Sequence, residues 1–437
     1  MEEDNRDIQS SEAQNTEPVY GETPQADGVQ VTTQDAGKPK KKSRLKFGHG
    51  LVIGAAGALL IVAVLTAGLI VALLSTGTSD RLNFKNIQAK LQIMQVLTDR
   101  YYIFEDKASD PEEGIYLGYA ASLGDVYTRY ITKSDYEQMQ EDDSGLYCGI
   151  GAMLQQDMNT GIMTVVRPFK GSPAEEAGLQ TDDILYKVDG EDITALNLDI
   201  VVSKYIRGEE GTEVEITVYR GTDLEELTFT ITRRQIETPI VEYEMKEDNI
   251  GYLSISEFNL ITAEQYRKAI DDLTAQGMEG LIIDLRDNGG GIVDTAVEML
   301  DYTLPDGLYT YLVHKQNGRT DFSGSDGHKV EVPIVLLVNG NTASSSEIFT
   351  GAMMDYDYAT VVGTKTFGKG IVQYEIPLGD GSAFNITAAK YYTPNGVNIH
   401  GVGLEPDINV PKGENFKIMT ETDNQYAAAV EELKKLK

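Results

Sequence analysis

Residues 51–74 form an unbroken apolar run, rich in glycine and alanine. A helix of about 20 such residues crosses a bilayer. Lys38-Pro39-Lys40-Lys41-Lys42-Ser43-Arg44-Leu45-Lys46 precedes the run, and residues 75–79 after it carry no positive charge. The basic flank is expected to stay in the cytoplasm, which puts the chain beyond Ser75 outside. A cleaved signal peptide is the rival reading. Its apolar core of roughly 7–15 residues would sit near the start of the chain. This run is longer and starts at Leu51, so the expectation is an uncleaved single-pass anchor.

Residues 1–37 are polar, acidic and poor in aromatics, which predicts a disordered tail. Past the anchor, Phe84, Ile87, Leu91, Met94 and Leu97 recur at helical spacing, and Ile115, Leu117 and Leu123 suggest a second helix. From about Ser144 the pattern shortens to strands punctuated by glycine. Ile162-Met163-Thr164-Val165-Val166 and Asp183-Ile184-Leu185-Tyr186-Lys187-Val188 read as strands, the second ending in the turn Asp189-Gly190. Ser172-Pro173-Ala174 opens a short helix that Gly178 stops. A helix is expected near 198–206, and Val214, Ile216 and Val218 alternate as a closing strand. Beyond Ile236, strands (250–255, 280–285, 333–338) alternate with helices (261–275 and one starting near Ser345). The two later strands lack polar alternation and are expected to be covered on both faces. The pattern divides the chain into a cytoplasmic tail (1–46), an anchor (47–79), a helical region (80–143), a β-rich domain with two helices (144–234) and an α/β core (235–437). At the C-terminus, Tyr426, Ala429, Val430 and Leu433 share one helical face, which can pack on the core or on a second subunit as a homo-oligomer.

Composition narrows the functional classes. The net charge of −32 over 437 residues argues against a nucleic-acid partner, which needs a basic face. Cys148 is the single cysteine, so no intrachain disulfide framework and no cysteine-rich zinc site can form. The four histidines, His49, His314, His328 and His400, show no metal spacing. No metal and no cofactor are expected.

Two segments carry candidate chemistry. Asn341-Thr342-Ala343-Ser344-Ser345-Ser346-Glu347 places hydroxyls where a strand turns into a helix. Phe367-Gly368-Lys369-Gly370-Ile371-Val372 places a lysine between glycines, with Phe367, Ile371 and Val372 as apolar surroundings. A serine needs a base, and a lysine serves once desolvation lowers its pKa. Ser344-x-x-Glu347 also reads as a capping box. Spacing alone leaves Ser345 and Ser346 as competing nucleophiles. Asp284-Leu285-Arg286-Asp287-Asn288-Gly289-Gly290-Gly291 follows a buried strand and can point amides at a negative atom. It lacks the dinucleotide spacing. Asp284, Asp287 and Asp294 lack calcium-loop spacing.

Gly171-Ser172-Pro173-Ala174, Ala177-Gly178-Leu179, Asp183-Ile184-Leu185 and Val188-Asp189-Gly190 together resemble a PDZ domain of the bacterial, circularly permuted kind. Behind it come Asp284-Leu285-Arg286-x-Asn288-x-Gly290-Gly291, Ala343-Ser344-x-Ser346-Glu347, Thr366-Phe367-Gly368-Lys369-Gly370, Tyr391-Tyr392-Thr393-Pro394 and Gly401-x-Gly403-Leu404-x-Pro406-Asp407. This ordered set resembles the C-terminal processing peptidases, or tail-specific proteases.

The resemblance implies a Ser–Lys serine endopeptidase that cleaves extracytoplasmic proteins after its PDZ domain engages their exposed C-termini. It implies Ser344 as nucleophile and Lys369 as general base; their separation of 25 residues matches the family's dyad and selects Ser344 over its neighbours. By the same resemblance Gln373 orients the lysine, and the amides of Gly290 and Ser345 form the oxyanion hole. Gly149, Ile150 and Gly151 form the carboxylate loop, and Arg207 links peptide binding to gating. Asp287, Gly289 and Ser345 depart from the family's usual residues, and Gly289 is expected to loosen the oxyanion loop. Cys148 reads as a small buried hydrophobe and His400 as part of a turn. The alternative is a catalytically silent, membrane-anchored PDZ scaffold. A histidine-dependent esterase would need a Gly-x-Ser-x-Gly elbow that the chain lacks.

Overall fold

The structure, a computed structural model, describes residues 82–104, 110–315, 318–324 and 327–437. The expected tail and anchor lie outside the described residues. Among the described residues no helix is long and apolar enough to cross a membrane.

Helix α1 (Phe84–Tyr101) starts on Asn83, whose side chain accepts the Asn86 N–H, and it buries none of its residues. Helix α2 (Pro111–Ala121) starts on Asp110 with proline in its first turn. The region is not purely helical. Strand β1 (Arg129–Ile131) pairs antiparallel with residues 383–385 of the core. Three residues are too few for a period to show in sequence. Helix α3 (Lys133–Ser144) is capped by Thr132 and stopped by Gly145 at φ +67°. A Cβ at Gly145 would lie 2.5 Å from the Ile261 side chain, so both conformation and close approach call for glycine.

The next domain contains β2 (Leu146–Gly149), β3 (Ala152–Gln156), β4 (Met163–Pro168), α4 (Pro173–Ala177), β5 (Ile184–Val188), β6 (Glu191–Asp192), α5 (Leu198–Val201), β7 (Glu213–Arg220), β8 (Glu225–Thr232) and β9 (Arg234–Glu237). Helix α5 runs on as a wider turn, Val202–Ile206. The sheet order is β3-β4-β5-β7-β8, with β6 on β5 and a separate β2–β9 pair. Asp189 and Gly190 both take positive φ, as the tight β5–β6 hairpin demands. Val165, Leu185, Val188, Val201, Val214 and Ile216 close the core. Among the described residues strand β3 pairs only with β4, so its other edge carries no strand partner beside the 149–151 segment.

The core continues with β10 (Val241–Met245), β11 (Ile250–Ile255), α6 (Thr262–Ala275), β12 (Gly280–Asp284), α7 (Val293–Thr303), β13 (Gly307–His314), β14 (Arg319–Gly324), β15 (Ile334–Val338), α8 (Ser345–Asp355), β16 (Ala359–Gly363), β17 (Ile371–Pro377), β18 (Ala383–Tyr392), β19 (Ile408–Asn409) and α9 (Asn424–Leu436). One sheet runs β10-β11-β12-β15-β16-β19, parallel except for β10. Every residue of β12 and β15 is buried, as their uninterrupted apolar sequences imply. Helices α6, α7 and α8 cover one face. Helix α9 covers the other, with Ala429 and Leu433 against Ile282, Val335, Leu337 and Val362, so its apolar face packs on its own core. A second sheet, β1-β18-β13-β14 with β17 on β18, adds Tyr391 and Leu312 to the α6–α8 side.

The fully buried Arg286 guanidinium donates to Asp284 and to Asp423 at the start of α9, both Asp423 contacts being 2.9 Å. Tyr252 donates to Asp284 at 2.8 Å. The Asp-Leu-Arg sequence therefore fastens α9 to the end of β12.

Candidate active site

Ser344 ends the loop between β15 and α8, half-buried, at φ +56° and ψ −119°. That region is normally left to glycine, and holding a serine there costs of order 1–3 kcal/mol. Surrounding bonds impose it. Ala343 N–H donates to the Asn288 carbonyl at 3.0 Å, and Glu347 and Ile348 N–H donate to the Ser344 carbonyl at 2.8 and 3.0 Å. The Tyr391 phenol donates to the same carbonyl at 3.2 Å. Ser344 N–H donates to Glu347 Oε2 at 3.0 Å, one arm of the capping box read from sequence. The result is a strained strand-to-helix turn that presents the serine at a helix N-terminus, where amides favour negative charge. The neighbouring hydroxyls are buried and engaged: Ser345 Oγ donates to the Gly291 carbonyl at 2.7 Å and Ser346 Oγ to the Asn288 carbonyl at 3.1 Å.

Lys369 lies in the loop 364–370 between β16 and β17. Its flanking glycines are required. A Cβ at Gly368, where φ is +92°, would lie 2.8 Å from the Gly403 nitrogen, and one at Gly370 would lie 2.5 Å from the His400 nitrogen. Both glycines press against the turn that contains the exposed His400. Glu347, buried completely, holds this loop as well. Its Oε1 accepts from Thr366 Oγ and Gly368 N–H at 2.6 and 2.8 Å, and its Oε2 accepts from Lys369 N–H at 2.8 Å. The Lys369 ammonium sits 5.0 Å from the centre of the Tyr127 ring. Burial lowers its pKa below the ordinary lysine value, the nearby Arg129 cation lowers it further, and the Glu347 charge opposes both. Phe367 is not part of the dry surroundings expected for it: 56% of its surface is exposed. Tyr127 provides the wall instead.

Gly290, at φ +97°, lies against Ser344. A Cβ there would be 2.8 Å from both Ser344 Cβ and the Ser345 nitrogen. Its N–H donates to Asn288 Oδ1 at 2.8 Å, so this expected oxyanion donor is engaged. Ser345 N–H meets no acceptor among the described residues. Asp287 takes φ +61° and accepts from the Asn339 and Asn341 amides at 2.9 and 2.8 Å, tying the two loops together. The Gln373 amide donates to Thr387 Oγ1 at 3.3 Å on β18, and no bond joins it to Lys369 among the described residues.

In the β-rich domain, Gly149 ends β2, and Ile150 and Gly151 lead into β3. The Ile150 and Gly151 carbonyls accept from Ala174 and Phe169 N–H at 2.8 and 2.9 Å, while their own N–H groups meet no acceptor among the described residues. Arg207 turns towards α3: its Nη1 donates to Glu141 at 2.5 Å and its guanidinium lies 5.0 Å from the Tyr147 ring. Its buried Nε meets no acceptor among the described residues. Cys148 is half-buried rather than buried, and burial raises its thiol pKa. Clefts of about 630 and 650 Å³ lie between this domain and the core, the first lined by Glu242 and the second by Arg167, which form an ion pair. Neither is lined by Ser344 or Lys369.

Sequence reasoning missed Tyr127 and Arg129, which no local signal marks, and saw only one of the four donors that converge on Glu347.

The chain matches the family model described as peptidase family S41 over residues 249–410, and that of a PDZ domain over residues 164–220. It is 36% identical over 380 residues to a protein of Staphylococcus haemolyticus (strain JCSC1435) named a probable CtpA-like serine protease, covering 84% of this chain and 75% of that one. A protein of the same name from Staphylococcus epidermidis (strain ATCC 12228) is 34% identical over 405 residues, covering 90% and 80%. The chain belongs to peptidase family S41. It is thus a serine peptidase of the CtpA-like, C-terminal processing type. A solved structure from Bacteroides fragilis NCTC 9343, described as of an S41 protease, shares the fold at TM-score 0.50 and 17% identity, covering 77% of this chain and 93% of that one. The S41 match spans Gly290, Ser344, Ser345, Lys369 and Gln373. The PDZ match includes Arg207 and begins after the 149–151 segment.

Proposed function

We propose that this S41 peptidase is a membrane-anchored endopeptidase that cleaves extracytoplasmic proteins with a Ser344–Lys369 dyad after its PDZ domain engages their C-terminal tails. Lys369, deprotonated, takes the hydroxyl proton as Ser344 attacks the scissile carbonyl, and returns it to the leaving amine. Water activated by the same amine then releases the acyl fragment. Ser345 N–H and the α8 N-terminus stabilise the oxyanion, joined by Gly290 N–H once it leaves Asn288. Gln373 steadies the lysine after exchanging Thr387 for Lys369.

The observation that carries this reading is the tethering of a strained Ser344 and a desolvated Lys369 to one buried carboxylate. The engaged Ser345 and Ser346 hydroxyls support Ser344 as nucleophile. The idle Ile150 and Gly151 amides beside the unpaired β3 edge suit a peptide carboxylate. The apolar run at 51–74 and its basic flank support a cytoplasmic N-terminus and an external peptidase.

The test compares the full chain with Ser344→Ala and Lys369→Ala on an unstructured reporter, with its C-terminus free or amidated. Each substitution lowers kcat by at least about 10⁴-fold and leaves tail binding intact, and amidation raises KM. Full turnover by Ser344→Ala refutes the dyad, and indifference to amidation refutes tail recognition.

A further inference from the structure

We propose that Glu347 is the positioning residue of this site, a buried carboxylate that sets nucleophile against base by accepting the N–H groups of both Ser344 and Lys369 on a single oxygen. The inference rests on the Ser344–Lys369 reading and adds to it the group that gives the pair its geometry.

Helix capping does not account for Glu347. A capping box needs one bond, from the N-cap N–H, and glutamine serves there as well as glutamate. Glu347 accepts four, and three come from the lysine loop: Thr366 Oγ, Gly368 N–H and Lys369 N–H. The carboxylate is fully buried, and no lysine or arginine pairs with it among the described residues. A buried charge is costly unless hydrogen-bonded. Two oxygens that only accept match four donors, whereas an amide would turn an NH₂ group towards two of them. With both amide nitrogens one hydrogen-bond length from Oε2, movement of the lysine loop away from the serine must break a charge-assisted bond.

The charge has a second effect. The groups facing Lys369 are Arg129 from β1, Glu347 from α8 and the Tyr127 ring. Of the two charges, Arg129 favours the neutral amine and Glu347 favours the ammonium. Glu347 also faces the Tyr391 phenol, whose pKa is pushed well up by burial and by that carboxylate. Removing the Glu347 charge therefore makes the lysine easier to deprotonate while leaving it less well placed.

Two substitutions separate charge from reach. Glu347→Gln keeps the reach and removes the charge; Glu347→Asp keeps the charge and loses a methylene. In the full chain, kcat on the unstructured reporter falls by about 10²-fold in each, with KM within about threefold. The acid limb of the kcat–pH profile moves to lower pH in Glu347→Gln and stays in place in Glu347→Asp. Melting temperatures establish that the variants fold. Folded variants with unchanged kcat and acid limb overturn the proposal, as does loss of the fold in both, which would assign Glu347 to stability alone. Ser344→Ala runs in parallel. If it is inactive while the Glu347 variants are unaffected, only the positioning role fails; if it turns over normally, the dyad itself fails.

Discussion

The Lys369 ammonium lies 5.0 Å from the centre of the Tyr127 ring, although the whole PDZ domain separates the two residues in sequence. An aromatic ring acts on such a cation in two opposed ways. Its bulk excludes water and favours the neutral amine, while its quadrupole attracts the ammonium. Burial is the first cause of the lowered Lys369 pKa, ahead of the Arg129 and Glu347 charges. Tyr127→Ala therefore admits water, raises the lysine pKa and moves the acid limb of kcat/KM to higher pH. Tyr127→Leu keeps the site dry, removes the quadrupole and moves the limb to lower pH. Equal shifts in one direction for both variants would contradict this account of the wall.

The same lysine makes stability depend on pH. Its folded pKa is below the ordinary 10.5. Below the folded value both folded and unfolded chains hold the proton, and the folded state bears the full cost of a buried ammonium. Between the folded value and 10.5 the unfolded chain binds more protons, so stability rises with pH. Lys369→Met escapes this cost. Its advantage over the parent in urea midpoint is largest below the folded pKa of the lysine and shrinks as the pH rises from there towards 10.5. A constant gap would mean the lysine is no more desolvated folded than unfolded.

Backbone strain at Ser344 is separable from its chemistry. Both Ser344→Ala and Ser344→Gly lack the hydroxyl, but only glycine relaxes at φ +56° and ψ −119°. Relief of about 1–3 kcal/mol is offset by glycine's greater freedom when unfolded, about 0.4–1 kcal/mol. Ser344→Gly is expected to be more stable than Ser344→Ala by about 1 kcal/mol, on balance of these two effects. Equal unfolding free energies would show that the turn is not strained.

Arg286 holds two buried carboxylates at once. Arg286→Met leaves Asp284 and Asp423 without their cation and is expected to cost about 3–5 kcal/mol in urea unfolding. Adding Asp284→Asn and Asp423→Asn recovers part of that loss. A neutral effect of the single substitution would mean α9 is held by its apolar face alone.

What could be read in advance follows from how local each signal is. The solid apolar strands Ile334–Val338 and Gly280–Asp284 announce a sheet covered on both faces. The Asp189-Gly190 turn follows from its backbone requirement, and Ser344 and Lys369 from motifs a few residues long. The architecture of the site is not local. Glu347 advertises a helix cap, while three of its four donors arrive from a distant loop. Phe367 is apolar beside Lys369 in sequence yet points to solvent, and the wall comes from Tyr127. Gly290 reaches the serine as its motif implies, but nothing in that motif shows its N–H turned to Asn288.

Strand β1 has a practical consequence. Truncating the protein to its two recognisable modules, starting at the PDZ domain, would strip the lysine of Tyr127 and Arg129 together. It would also expose the opening residues of β18 as a bare, sticky margin. The smallest fragment that keeps the surroundings of Lys369 intact therefore begins upstream of the PDZ domain, in a short ribbon that belongs to neither module.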